Sequence, residues 1–161
     1  MISLNIKSVT DEIFALTALR AAIGAPTDTL PPVLTRDHLP ALRVVVRSVF
    51  ASLVTRLHEH ITDSSVEEAN IVAERPYDDR QPVTLGIDFG ANASTLSAGS
   101  LMVLKRYLEH LLALMTLEKV YLPIDTAISA DLASRARSLL ATVTSMLADP
   151  GFPERIVASY I

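Results

Sequence analysis

Residues 98–123 read AGSLMVLKRYLEHLLALMTLEKVYLP and carry a long helical pattern. Ser97 or Ser100 is placed to cap the start of this helix, and Pro123 is placed to end it. The apolar side chains recur every three or four positions, which is the spacing of one helix face. They are Leu101, Leu104, Leu108, Leu111, Leu112 and Met115. The pattern predicts a helix over 98–120.

A second long helix is predicted over 37–61, with Pro40 tolerated because it lies in the first turn. Its apolar stripe has the same spacing and consists of Leu39, Leu42, Val46, Val49, Leu53, Leu57 and Ile61. Four further apolar residues widen the stripe beyond one face, namely Val44, Val45, Phe50 and Val54. A helix that is apolar on more than one side belongs in the centre of a bundle or of an oligomer.

Two further helices flank these. Ser8 and Asp11 have the spacing of a capping box before the first one, and Gly24 is placed to stop it. Its predicted apolar stripe consists of Ile13, Leu16, Leu19 and Ile23. The last helix begins after Asp125 or Ser129 and runs through Leu147. We expect about four helices in a single domain spanning residues 1–161.

The middle of the chain has a strand pattern instead. Apolar residues alternate with polar ones and Gly86 over 83–89, which is typical of a half-buried strand, and 70–75 is a second candidate. Together they predict a β-hairpin over 70–89. Residues 1–7 also alternate and form either a short strand or an ordered arm. The expected fold class is therefore mainly α with a small β component, a bundle of about four helices with a central hairpin.

The composition excludes several classes of protein. Half of the residues are hydrophobic, 5% are aromatic and 20% are charged, so the core is aliphatic and general disorder is not expected. The net charge of −4, without a basic run, argues against a nucleic-acid binder. The chain has no cysteine, which removes disulfides and thiolate chemistry. The start lacks a signal-peptide pattern, and arginines such as Arg43 and Arg47 interrupt the apolar runs, so we expect a soluble, non-secreted protein.

The segment 85–95 reads LGIDFGANAST and resembles the first phosphate motif of the actin, sugar-kinase and Hsp70 ATPase superfamily. That resemblance implies that Asp88 points towards a metal and that a turn bearing Gly90 wraps the phosphates. It covers these residues alone, and the chain after Thr95 is too short for the second lobe of that family. The sequence therefore favours an inward-facing strand that ends in a turn.

Other catalytic patterns are not predicted. His58 and His60 are two positions apart, so they point away from each other on a helix and do not match the spacing of a zinc helix. They are better interpreted as solvated histidines near a helix C-terminus. No nucleophile elbow occurs, and no carboxylate pair is marked as buried. We expect no enzyme activity, no metal and no cofactor.

Charge is unevenly distributed. Seven acidic and two basic residues lie between Asp63 and Asp88, whereas Arg43 and Arg47 share one helix face. The acidic stretch is either an ordinary solvated hairpin or a protrusion that meets a basic partner. The two arginines would pair with such acids in a neighbouring copy, or with Asp11 or Glu12 in the same one. The candidate partner-binding residues are Asp78, Asp79, Arg43, Arg47, Phe152 and Tyr160.

In architecture, the chain resembles the small head–tail connector and tail-completion proteins of tailed phages and prophages. The features that carry the resemblance are the helices over 37–61 and 98–120, the hairpin over 70–89 and an apolar arm over 152–161. The resemblance implies a scaffold that assembles in the cytoplasm and ends in the virion. Its copies would form a ring, with arms that clasp neighbours and a hairpin that contacts an adjacent ring or lines the DNA path.

The partners expected from this resemblance are other copies of the chain and neighbouring assembly proteins, without sequence-specific nucleic acid or a membrane. Two alternatives stay open. The first is a small helical interaction or regulatory module that binds one partner through an apolar helix face. The second is a nucleotide-binding enzyme that uses the segment from Gly86 to Gly90.

Overall fold

The computed structural model describes residues 2–23, 33–61 and 84–148. This part of the chain is 80% helical, with four helices and a two-stranded antiparallel sheet, which confirms the expected fold class. The helices are α1 (Ile6–Ile23), α2 (Leu39–Arg56), α3 (Ala98–Tyr121) and α4 (Thr126–Ala148), and the strands are β1 (Ile2–Asn5) and β2 (Thr84–Ile87). Short 3-10 turns cover Arg36–His38 and His58–His60, and a one-turn helix covers Ala91–Ser94.

Helix α3 is the centre of the molecule. It packs against α1, α2, α4 and β1, and every residue from Leu111 to Leu117 is buried. Thr116 fits into this apolar stretch because its hydroxyl donates to the Leu112 carbonyl at 2.7 Å. A helix that is apolar all round is buried on all sides. The sequence assigned the wide apolar face to the helix over 37–61, but in the structure α3 holds the central place.

Helix α3 begins and ends as its sequence predicts. Of the two candidate caps, Ser97 is the one used, because its hydroxyl accepts from the Ser100 N–H at 3.1 Å. Helix α4 begins after Asp125, whose Oδ1 accepts from the Ala127 and Ile128 N–H groups, both at 3.0 Å. The other proposed start, Ser129, is buried inside α4.

Helix α1 differs from its prediction. It begins at Ile6, before the proposed capping box at Ser8, and the side chain of Asn5 accepts from the Lys7 N–H at 2.9 Å. Its buried face consists of Ile6, Val9, Thr10, Ile13 and Thr17. The predicted stripe was wrong in its second half, because Thr17 takes an inward position by donating its hydroxyl to the Phe14 carbonyl. Leu19 and Ile23 are thereby left 56% and 73% exposed.

The structure confirms the predicted apolar stripe of α2, but the helix ends earlier than predicted. The helix stops at Arg56, and the buried Leu57 leads into the 3-10 turn over His58–His60. Residues Arg36–Arg56 have the length and hydropathy of a membrane span, although 28% of that window is buried inside the protein. The inward face packs on α3 and consists of Leu42, Val46, Val49, Phe50 and Leu53.

The sheet joins the N-terminus to the middle of the chain. Ile2 lies opposite Ile87 and Leu4 opposite Leu85, so residues 2–5 form a strand of the protein's own sheet rather than a free arm. Ile2, Leu4 and Ile87 all belong to the hydrophobic core. Residues 70–75 lie outside the described part of the chain, so the hairpin over 70–89 stays a prediction. The same holds for the arm over 152–161.

Helix directions follow from contacts along α3. Glu12 of α1 meets His110, and the last turns of α1 share a cleft with Leu117 and Tyr121, so α1 is parallel to α3. Ser129, early in α4, donates to the carbonyl of Glu118, late in α3, at 3.1 Å. Helix α4 is therefore antiparallel to α3.

Helix α2 is also antiparallel to α3, because Val44 and Val45 share a cleft with Lys119 and Val120. The molecule therefore has two different ends. The sheet end is formed by β1, β2 and the first half of α3. The turn end is formed by the last turns of α1 and α3 and the first turns of α2 and α4.

Candidate functional site

The structure describes two of the six residues that the sequence proposed as a partner-binding set. Arg43 is half-buried and Arg47 is exposed on α2. Asp11 and Glu12 do not pair with these arginines, since Asp11 lies 4.0 Å from Lys7 and Glu12 contacts His110. The four remaining candidates, Asp78, Asp79, Phe152 and Tyr160, lie outside the described residues.

A groove of about 700 Å³ lies at the sheet end, between β1 and α3. One wall is β1, which contributes Ser3 and Asn5, and the opposite wall is the α3 face that carries Met102, Lys105 and Arg106. The remaining lining residues come from the start of α1 and from the segment before α3, and they include Ser8, Gly90, Ala93 and Ser94. We call this cavity the sheet-edge groove. Its volume is typical of ligand and peptide sites.

A buried carboxylate holds the two walls together. Glu109 is 2% exposed, and its Oε1 accepts from the Asn5 N–H at 3.1 Å. Lys105 Nζ lies 4.0 Å from Oε1, and Arg106 Nη1 lies 3.8 Å from Oε2. Burying a carboxylate is costly unless it is paired and hydrogen-bonded, and here both conditions are met. Glu109 therefore holds the end of β1 against α3. Its single negative charge balances one of the two positive charges of Lys105 and Arg106.

The outer edge of β1 faces this groove. The Asn5 N–H is turned away from β2, because it donates to Glu109. In an antiparallel ladder, successive residues alternate between pointing at the partner strand and pointing away from it. The N–H and C=O of Ser3 therefore point to the same side as those of Asn5, and Ser3 lines the groove. The groove exposes main-chain hydrogen-bonding groups as well as side chains.

The segment that resembles a phosphate motif forms a tight turn after β2. Asp88 Oδ1 accepts from the Gly90 N–H at 2.9 Å, and this hydrogen bond lowers the pKa of the Asp88 carboxyl against a smaller opposing effect of burial. Gly90 has φ 52° and ψ −127°, a conformation open to glycine and strained for other residues. Phe89 is buried, at 1% exposure. The inward-facing strand and its terminal turn thus agree with the interpretation that the sequence favours.

A second, smaller cleft of about 360 Å³ lies at the turn end, between α1, α3 and α4. Tyr121 forms part of its wall and is 2% exposed, and burial raises the pKa of its hydroxyl despite the opposing charge of Arg20. Asp131 lies at the rim, 3.7 Å from Arg20 and 3.2 Å from Arg135. These charges form a polar border around an apolar cleft.

Exposed apolar side chains are concentrated at this end of the bundle. Leu19 and Ile23 line the cleft, Leu122 and Ile124 follow Tyr121 in the turn, and Val44 lines a separate cleft between α2 and the last turns of α3. We call these five residues the turn-end apolar surface. They are five of the seven large hydrophobic residues that are exposed in the described part of the chain. The sequence placed Leu19 and Ile23 on the apolar stripe of the first helix, and their exposure was found from the structure alone.

The described histidines make local contacts of different kinds. The exposed His58 bonds through Nδ1 to the Thr55 carbonyl at 2.9 Å, and His38 bonds to the Thr35 N–H at 3.0 Å. His110 pairs with Glu12 across α1 and α3. Within residues 2–23, 33–61 and 84–148, no group of three or more metal-ligating side chains comes together.

The comparisons with known proteins found no match, so a function has to be argued from the geometry of the site. No family model, no characterised protein and no solved structure matches this chain.

Sequence reasoning missed three residues of these two sites, namely Ser3, Glu109 and Tyr121. The spacing of Lys105 and Arg106 to Glu109 was visible as i,i+4 and i,i+3 pairs. The burial of Glu109 was not visible, because it depends on β1 covering that face of α3. The direction of the Ser3 backbone likewise depends on the pairing of β1 with β2.

Proposed function

We propose that this chain is a non-enzymatic structural assembly protein, and that it forms a ring in the neck or tail of a tailed phage or prophage. The turn-end apolar surface carries the proposal. Contiguous apolar patches on a folded domain mark sites of association, whereas exposed apolar residues that are scattered singly need no explanation. Leu19 and Ile23 line one cleft together, and the three other exposed apolar residues lie at the same end, which favours a protein that is covered there by a neighbour.

The arrangement of charges around this surface supports the same role. Asp131, Arg20 and Arg135 form ion pairs at the edge of the cleft, and Leu19 and Ile23 lie beside them. Protein interfaces commonly have an apolar centre inside a polar rim. Side chains of a neighbouring component would enter the cleft beside Tyr121 and cover the exposed leucine and isoleucines.

The two ends of the bundle are chemically different, which supports assembly into a ring. The turn end is apolar, and the sheet end carries a groove with a main-chain edge and two cations. Association between unlike surfaces is head-to-tail, and such contacts produce rings when the rotation closes. Assembly in the cytoplasm and incorporation into the virion follow from this proposal.

A small interaction module is the second candidate, because the turn-end cleft by itself is large enough for one or two apolar side chains of a partner. A helix that places side chains three or four positions apart would fit such a cleft. This candidate predicts a monomer that binds one peptide, whereas the assembly protein forms a defined multimer.

The decisive measurement is the native mass by light scattering behind size exclusion, over a series of concentrations. We expect a defined multimer, with ring-shaped particles in negative-stain electron microscopy. Changing both Leu19→Ser and Ile23→Ser removes apolar area worth about 1.5–3 kcal/mol per side chain when buried, and it should weaken association at least about tenfold.

The matched control is Ala18→Ser, an exposed position on the same helix that is outside the apolar surface. It should leave the mass unchanged. Circular dichroism is the check that both variants keep their helices. A monomer at every concentration would contradict the self-assembling form of the proposal and favour the interaction module.

A further inference from the structure

We propose that the turn-end cleft binds a fatty acid of about ten carbons, with its carboxylate at Arg20 and Arg135 and its chain between α1, α3 and α4. The inference goes beyond the proposed function, because it places a free small molecule in the cleft rather than a neighbouring protein. The wall of the cleft, its charges and its volume each define one property of this ligand.

The wall of the cleft is aliphatic. Its apolar lining residues come from three helices and are Leu16, Leu19, Ile23, Leu114, Leu117 and Leu132. Leu117 and Leu132 are 2% and 4% exposed, so the inner part of the wall belongs to the protein core. Among the described residues that line the cleft, Tyr121 is the one aromatic, so a flat ring system has little to stack on. A flexible hydrocarbon chain needs only van der Waals contact and removal from water, and it fits this wall.

The charges at the cleft select an anionic head group. The described charged residues that line it are Arg20 and Arg135, and both are cations. Asp131 lies at the rim, 3.7 Å from Arg20 and 3.2 Å from Arg135, so the two guanidinium groups converge on one place. With Asp131 included, one positive charge remains in excess there. A ligand that balances it carries one negative charge beside an apolar chain.

Arg20 is the group that binds the carboxylate in this proposal. Its separation from Asp131 is longer than a hydrogen bond, whereas Arg135 lies closer to Asp131 and one turn along the same helix. The Arg20 side chain is 35% exposed, so its guanidinium lies partly out of water beside the apolar wall. A guanidinium presents a planar set of N–H donors that matches the two oxygens of a carboxylate.

The volume of the cleft limits the ligand to a single chain of moderate length. It is about 360 Å³, near the lower end of the range for ligand sites. At roughly 30 Å³ for each non-hydrogen atom, the share of a water molecule in the liquid, the cleft holds about twelve such atoms. A carboxylate of about ten carbons has this size, whereas a phospholipid with two long chains is too large.

The first test is calorimetric titration of the full chain with fatty acids of increasing length, each below its micelle concentration. The protein is kept at a dilution at which light scattering gives the monomer mass, so that no neighbour covers the cleft. Each buried methylene raises the affinity about fourfold, so decanoate should bind about fifteenfold more tightly than octanoate. The gain should end beyond about twelve carbons, because the cleft is then full.

The charge of the head group is tested with decyltrimethylammonium, which has the same chain length and a positive charge. It should bind at least about tenfold more weakly than decanoate. Equal affinities for the two, or an affinity for fatty acids that keeps rising with chain length, would show non-specific adsorption and overturn the proposal. A wild type that binds no decanoate overturns it as well.

The second test is Arg20→Gln, with Arg137→Gln as its matched control. Arg137 is an exposed arginine on α4 that does not line the cleft. Arg20→Gln should weaken decanoate binding at least about tenfold and should not weaken the binding of decyltrimethylammonium. Arg137→Gln should leave both affinities unchanged. Equal effects of the two variants on decanoate would exclude Arg20 as the partner of the carboxylate.

The third test locates the hydrocarbon chain. The protein has no tryptophan, so Leu19→Trp introduces a single fluorophore at an exposed position that lines the cleft. The control is Ala18→Trp, at the adjacent exposed position outside the lining. Bromine quenches tryptophan fluorescence on contact, so terminally brominated decanoate should quench the Leu19→Trp variant several-fold more than the Ala18→Trp variant. Equal quenching would overturn the placement of the chain in the cleft.

The outcomes separate this inference from the proposed function. A chain that forms a multimer on concentration, but binds no decanoate when diluted to the monomer, overturns the ligand and leaves the assembly function standing. A chain that is monomeric throughout and binds decanoate with the expected dependence on length and charge supports the ligand and contradicts self-assembly.

Discussion

Glu109 links β1 to α3 at the sheet end. Its carboxylate accepts the Asn5 N–H and lies between Lys105 and Arg106, at 2% exposure. In an exposed position the same two ion pairs would contribute little. Because Glu109 is buried, its contribution to stability is larger. The Asn5 N–H has no comparable acceptor if the carboxylate is removed.

We expect Glu109→Ala to lower the free energy of unfolding by about 1–2 kcal/mol, since it leaves the N–H of the half-buried Asn5 without its acceptor. Glu109→Gln keeps an acceptor oxygen and should cost less. Urea denaturation measures both, with the exposed Glu59→Ala as the control. If Glu109→Ala and Glu59→Ala have equal effects, the carboxylate does not hold β1 in place.

Tyr121 makes the stability of the turn end depend on pH. Burial raises the pKa of its hydroxyl in the folded state above the ordinary value of 10.0. A raised folded pKa means that the stability contributed by the neutral hydroxyl is complete below the unfolded pKa. It is lost as the pH rises through the folded pKa. Unfolding should therefore become easier above about pH 10.

Absorbance of tyrosinate gives the test for this residue. The chain has four tyrosines, and we expect one of them to titrate at higher pH than the others. Tyr121→Phe should remove that late phase and reduce the loss of stability at alkaline pH. Tyr107→Phe, at a half-buried position on the same helix, should leave the late phase in place.

At the scale of elements, the two faces of α2 should respond differently to a charged side chain. Leu53 is fully buried against the core, whereas Val44 is 69% exposed. We expect Leu53→Asp to unfold the protein, because it places an unpaired charge in the core. Val44→Asp should keep the circular dichroism signal and the unfolding midpoint within a small margin of the wild type. A folded Leu53→Asp variant would show that α2 does not pack as described.

At the scale of the whole molecule, the fold combines a central helix, buried on all sides from Leu111 to Leu117, with two unlike ends. Helix α3 is covered by α1, α2, α4 and β1, so the outer helices present their other faces to the outside. The turn end is apolar around Tyr121, and the sheet end has a cationic groove beside a strand edge. This polarity is the basis for the proposed head-to-tail assembly.

Local patterns in the sequence determined the class of the fold and much of its layout. The spacing of leucines predicted α3, the Ser97 and Asp125 caps were among the proposed starts, and the alternation around Val83–Phe89 predicted β2. These features depend on hydrogen bonds and side-chain periodicity within a few residues. A single sequence is sufficient to read them.

The tertiary structure alone decided which faces are buried and which surfaces remain. Thr17 replaced the predicted apolar residues on the inner face of α1, and Leu19 and Ile23 became exposed. Glu109 became a buried anchor, and of the two alternatives for the N-terminal residues the structure chose the strand, with β2 as its partner. Each of these outcomes depends on contacts between residues that are about eighty or more positions apart or on the packing of neighbouring helices. Periodicity within one segment carries no information about such contacts.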